Sequence, residues 1–167
     1  MSVRIGIIIS KDYDYKNIKD FKNKYDLGFF KIFNKYVNNQ LLEDEMFLQA
    51  TKTGCDSLTG IGAYDLYIKD VSLIYQNIDD ELIAQSVVDE FEERKQKYKA
   101  DVLRWIEIIN ILKNIYKVNK LGLFWHMCSE AFDQEKITFS NRMSCEIKDI
   151  TAEYMMKIKP DTIIIFY

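Results

Sequence analysis

The two ends of the sequence carry its most apolar stretches, and these limit the possible folds more than any other feature. Residues 3–10 read VRIGIIIS and residues 161–167 read DTIIIFY. Both are short, β-branched and apolar at successive positions, which is the pattern of a strand buried on both faces. Such strands belong in the interior of a sheet. The expectation is that the two are neighbours there.

The material between them is mostly helical in pattern. The chain has one proline, Pro160, and six glycines. That is too few of either for many short strands joined by tight turns, and it leaves room for long helices. Asp12 or Asp14 is placed to cap a helix over 16–24, with Ile18, Phe21 and Tyr25 on one side. Gly28 marks a turn. Phe30, Phe33, Val37 and Leu41 repeat at three and four residues, so 29–50 reads as mostly helical. Residues 51–62, TKTGCDSLTGIG, have no period and read as a long loop. An amphipathic helix is expected over 64–78, with a strand at 64–68 as the alternative.

Asp79 and Asp80 then open a helical pattern that persists to about residue 116. As one straight rod it would run roughly 55 Å, against roughly 40 Å for a compact domain of this length. A break near 92–100 is therefore expected, where EERKQKYK offers little to a core. Residues 121–128, LGLFWHMC, read as a strand. Two more are expected at 136–139 and 144–148, joined by a polar turn at 140–142. A short helix over 150–158 stops before Pro160. The sum is a single domain, residues 1–167, of α+β class. It has a mostly antiparallel sheet of about four to five strands with helices packed on one face.

Charge is distributed unevenly around a net of −3. Residues 16–35 hold six lysines against Asp20 and Asp26, a net of +4. Residues 43–93 hold thirteen acids against Lys52 and Lys69, a net of −11. Residues 94–120 hold eight bases against Asp101 and Glu107, a net of +6. No apolar run approaches the roughly 20 residues of a membrane span, and no charged-then-apolar leader opens the sequence. The three cysteines, Cys55, Cys128 and Cys145, are odd in number and widely spaced, which fits reduced thiols in a cytoplasmic protein.

Chemistry-bearing patterns are sparse. His126 is the only histidine, so any histidine-dependent mechanism must use it. Strand alternation puts it on the same side as Phe124 and Cys128. A zinc set of His126, Cys128 and Cys145 lacks the clustered spacing of structural zinc sites. Gly54, Gly60 and Gly62 match neither a phosphate-binding nor a dinucleotide-binding turn. No cofactor is expected. Interleaved lysines and aromatics over 13–36 keep helical spacing and serve packing, and the negative net charge disfavours a nucleic-acid partner.

Three functional readings follow. The first is a protein-binding module whose acids Asp79, Asp80, Glu81, Asp89, Glu90, Glu92 and Glu93 face a partner with a basic surface. A small acidic protein of the immunity-protein or antitoxin type fits that profile. The second is a small enzyme, a hydrolase or transferase, built on His126 and Cys128 with Asp56 and Ser57 of the 51–62 loop. The third is a homodimer joined through its long helix.

Overall fold

A computed structural model describes residues 2–52, 60–63, 77–129 and 131–167. The elements in chain order are β1 (Ser2–Ser10), α1 (Lys19–Lys24), β2 (Leu27–Phe30), α2 (Lys35–Asn38), β3 (Glu45–Thr51), α3 (Glu81–Asn114), β4 (Leu121–Cys128), β5 (Asn141–Cys145), α4 (Ala152–Met156) and β6 (Thr162–Phe166). Among the described residues the strands form one six-stranded sheet in the order β2-β3-β1-β4-β6-β5. All pairings are antiparallel except β5 with β6, which is parallel. The sheet is thus larger than expected, and mixed. The parallel pair arises because α4 lies between β5 and β6 and returns the chain in the same direction.

β1 and β6 both lie in the interior of the sheet, as their apolarity requires. They are not neighbours, because β4 sits between them. β4 is itself buried on both faces, with only Met127 part-exposed, and its apolar content competes for the same central place. Alternation along β1 sends Val3, Ile5, Ile7 and Ile9 to one face and Ile8 to the other. Gly6 lies under the Phe47 ring, and a Cβ there would stand 1.9 Å from that ring's Cε2.

Each face has its own core. On the first, α1, α3 and α4 cover the sheet through Phe21, Tyr98, Val102, Trp105, Leu112 and Met155. On the second, Phe47, Phe124 and Ile163 pack with Val37 of α2 and with Phe132 and Ile137. Helices are therefore not confined to one face: the single turn of α2 and the irregular 131–139 segment roof the second.

Three expectations about local structure are corrected. Residues 29–50, expected to be mostly helical with an interruption at Asn38 and Asn39, contain one helical turn between two strands. Phe33, which completed the apparent helical face, is 73% exposed, and Asn34 caps α2 by accepting from the Tyr36 and Val37 N–H groups. Gly28 lies inside β2 and marks no turn. The expected hairpin at 136–148 is one strand, β5, which begins within the supposed turn. Finally, α3 runs unbroken for 34 residues, about 51 Å at 1.5 Å per residue. The 92–100 stretch is polar, yet it holds no glycine or proline and consists mostly of good helix formers. Glu90 pairs with Arg94 and Glu92 with Lys95 along it. Polarity leaves Tyr98 as the one core residue of this stretch without ending the helix. The expected helix over 64–78 lies almost wholly outside the described residues.

Candidate functional site

Asp80 caps α3, its carboxylate accepting from the Leu82 and Ile83 N–H groups at 3.0 and 3.1 Å. Asp79, Asp80, Glu81, Asp89, Glu90, Glu92 and Glu93 are all exposed. No base interrupts them from 79 to 93. Gln85 donates to Asp89 at 2.8 Å, and Glu90 and Glu92 hold the Arg94 and Lys95 pairs. Among the described residues, Asp79, Glu81 and Glu93 make no ion pair. The helix beneath them contributes little to either core: from 81 to 97 only Ala84 is buried. Leu82 and Ile83 are exposed beside the acids.

Two other acids of the block, Asp44 and Glu45, are neutralised elsewhere. Asp44 pairs with Lys120 at 2.6 Å at the start of β3. Glu45 is buried and pairs with Arg142 and, at 3.5 Å, with Lys120. Lys120 comes from the basic 94–120 segment, and Arg142 from β5. Among the described residues the dense acidic feature is therefore the 79–93 stretch. Asp56, Asp65 and Asp70 lie outside the described residues.

A second cluster forms on the other side of the molecule's sheet, around His126. As alternation requires, His126 shares a face with Phe124, against which its ring stacks at 6.2 Å, and with Cys128. Its Nδ1 meets Asp161 Oδ1 at 2.5 Å. Asp161 is anchored by its backbone, its N–H donating to the Trp125 carbonyl at 3.0 Å and its own carbonyl accepting from the Ser140 N–H at 2.8 Å. Its φ of 59° lies in the left-handed region, which aspartate tolerates better than most residues.

The other ring nitrogen, Nε2, stands 3.3 Å from Glu135 Oε1. That is ion-pair range, yet the alignment makes no hydrogen bond, and both Nε2 and Glu135 Oε2 are buried without a hydrogen-bond partner. Glu135 Oε1 is held instead by the Ser129 N–H and hydroxyl, both at 2.9 Å. Glu135 sits in the irregular 131–139 segment, which α2 clamps from above. The Asn34 side chain donates to the carbonyls of Phe132 and Glu135, and Gln40 bonds the Ile137 carbonyl and the Phe139 N–H.

Arg4 faces His126 across the β1–β4 pair. Its guanidinium lies 4.7 Å from the centre of the Phe132 ring and donates to Gln49. The donor atoms of His126, Cys128 and Glu135 all lie within 4.8 Å of one another, and all three residues are buried.

The electrostatics follow from this crowding. Burial pulls the His126 imidazole down, but the carboxylates of Asp161 and Glu135 outweigh it and hold its pKa above the ordinary value. Burial pushes Glu135 up, and the Ser129 donors and His126 bring it below the usual carboxylate range. Burial raises the Cys128 thiol, with Arg4 beside it opposing the shift.

Cys128, His126 and Asp161 stand in the order nucleophile, base and orienting carboxylate. The environment is wrong for a nucleophile: Cys128 is 3% exposed and its thiol is held up, where reactive cysteines are accessible and low in pKa. The larger described cavities also lie elsewhere, one beside Lys31, Phe33 and Leu42, the other beside Asn141, Met143 and Tyr154. Nor does the 51–62 loop reach His126 with its described end. Ile61 and Ala63 belong to the first core, and Gly62 lies against Trp125, whose side chain points to the opposite face. Asp56 and Ser57 fall outside the described residues.

Cys145 belongs to the first core and so does not complete a set with His126 and Cys128. Arg4, Glu135 and Asp161 were not marked by the sequence reading. No helix among the described residues is long and apolar enough to cross a membrane. No protein family, curated protein or solved structure matches the chain.

Proposed function

We propose that this is a protein-binding module that engages a basic partner through the first half of α3. One observation carries the reading: seven acids with no intervening base, all exposed, two of them leading into α3 and five on its first half, where only Ala84 is buried before Tyr98. Ala84 is buried and Val87, Val88 and Phe91 are half-buried, so the stretch packs along one side while its acids stay exposed. Its acids supply a concentrated negative field, and fields of this kind speed the approach of an oppositely charged surface and reject like-charged ones. Leu82 and Ile83 supply apolar area at the edge of that field. A basic nucleic-acid-processing enzyme, masked in the manner of an immunity protein or antitoxin, is the partner class that suits these features.

The test is affinity capture from the native cell with two baits, the wild type and a charge-swapped Asp79→Lys/Asp89→Lys/Glu93→Lys variant. None of the three swapped residues is the helix cap. A basic partner retained by the wild type, lost by the variant and eluted by moderate salt is the expected result. Identical captured sets for the two baits would overturn the reading.

A further inference from the structure

We propose that His126, Cys128 and Glu135 form a binding site for a transition-metal ion of the zinc class, between β4 and the 131–139 segment. It is independent of the acidic helix, which belongs to another part of the fold.

Geometry is the first support. Three donors of different chemistry, an imidazole nitrogen, a thiol sulfur and a carboxylate oxygen, converge within 4.8 Å. The distance from Nε2 to the Glu135 carboxylate is 3.3 Å. Two ligands on a tetrahedral ion with bonds of about 2.0–2.1 Å stand roughly 3.3–3.4 Å apart. That edge of the polyhedron is already in place.

The second support is a group of three buried polar atoms without hydrogen-bond partners, Arg4 Nε among them. Nε2 of His126 and Oε2 of Glu135 make no hydrogen bond, although their residues are only 8% and 7% exposed. Burial without a partner is costly and uncommon in folded proteins. The 3.3 Å edge runs to Oε1, so an ion bound to Nε2 and to both oxygens of the Glu135 carboxylate keeps that edge and satisfies both atoms at once. Asp161 completes the arrangement from behind: its carboxylate takes the Nδ1 side and so aims Nε2 at the other two donors, as a carboxylate behind a metal-bound histidine does.

The donor set selects the metal. Imidazole and thiolate exclude the hard cations magnesium and calcium, which take oxygen, and suit zinc and its neighbours. On binding, the Cys128 thiol loses its proton to solvent, and so does Nε2 wherever the His126 ring is charged. Thiolate and the Glu135 carboxylate then cancel the two charges of the ion. Arg4 opposes a cation here, and it also favours the thiolate that the ion needs. Three protein ligands leave one tetrahedral position for water.

The test uses purified full-length protein, stripped with chelator and titrated with Co(II), followed by competition with Zn(II). The expected result is one ion per chain, with a thiolate-to-cobalt charge-transfer band and the visible absorption of tetrahedral cobalt. Cys128→Ser removes the band, Cys145→Ser keeps it, and Glu135→Gln, nearly isosteric, weakens binding at least tenfold. Asp161→Asn weakens it about 10- to 100-fold. Should Cys128→Ser fail to fold, the wild-type titration and Glu135→Gln decide alone. Absence of saturable one-to-one binding by the wild type at micromolar metal would overturn the proposal. So would a charge-transfer band that survives in folded Cys128→Ser, or unchanged affinity in Glu135→Gln.

Discussion

Asn34 concentrates several roles in one side chain. It is 1% exposed, accepts from two N–H groups of α2 and donates to the carbonyls of Phe132 and Glu135. Alanine there removes a helix cap and leaves two carbonyls of the 131–139 segment without their donor. The expected loss is about 2–4 kcal/mol, read by denaturant unfolding.

His126 gives a pH dependence whose sign is fixed by its neighbours. Its folded pKa is raised above the ordinary 6.5 despite burial, because Asp161 and Glu135 favour the charged ring. The resulting stabilisation is fully present below about pH 6.5 and disappears as pH rises through the folded value. In metal-free protein, unfolding free energy should fall across that window, and His126→Gln should lack the fall. A wild-type profile matching that of the variant would rule out the charged network.

Part of this site was legible in the sequence. A sole histidine at alternate spacing from Cys128 on an apolar strand placed both on one face correctly. Glu135 and Asp161 gave no such signal. One lies in an irregular segment whose position depends on Asn34 and Gln40, the other at a turn hooked to Trp125. Contacts made by irregular segments leave no periodicity to read.

At the scale of elements, β1 was read correctly because continuous apolarity has one good structural outcome. The start of α3 was equally plain, since Asp80 supplies both the cap and the charge its dipole favours. Residues 29–50 failed because three- and four-residue spacing arose by chance across a strand, a loop and a single helical turn. The β5 strand was hidden for another reason: it pairs only with β6 and lies at the sheet edge, so it is mostly exposed and carries no apolar pattern of its own.

Two substitutions test the elements as described. Gly6→Ala drives a methyl into the Phe47 ring and should cost at least about 1–3 kcal/mol, as overpacking does. Phe47→Leu in the same chain should recover part of that loss, whereas additive losses would refute the close approach. Gln96→Gly, at an exposed position in the middle of α3, should cost about 1 kcal/mol, the usual penalty inside a helix. A helix broken near 92–100 would accept the glycine at no cost.

Across the whole molecule, the sequence alternates basic, acidic and basic blocks, and folding treats the acidic one unevenly. Asp44 and Glu45 are neutralised by Lys120 and Arg142 at the sheet, so they add nothing to an external field. The seven acids of 79–93 remain exposed, with two of them paired to bases of the same helix. Exposed pairs of that kind are weak and leave most of the field intact. Charge held in this way acts on encounter more than on the finished contact, because steering works at distances that salt screens within about 10 Å at 0.1 M. The most direct measurement is the association rate constant of the captured partner as salt rises from about 10 to 500 mM. A fall of at least tenfold with little change in the dissociation rate is predicted, together with a slow, salt-insensitive on-rate for the Asp79→Lys/Asp89→Lys/Glu93→Lys variant. A wild-type on-rate that stays flat over that range would contradict a charge-steered partner.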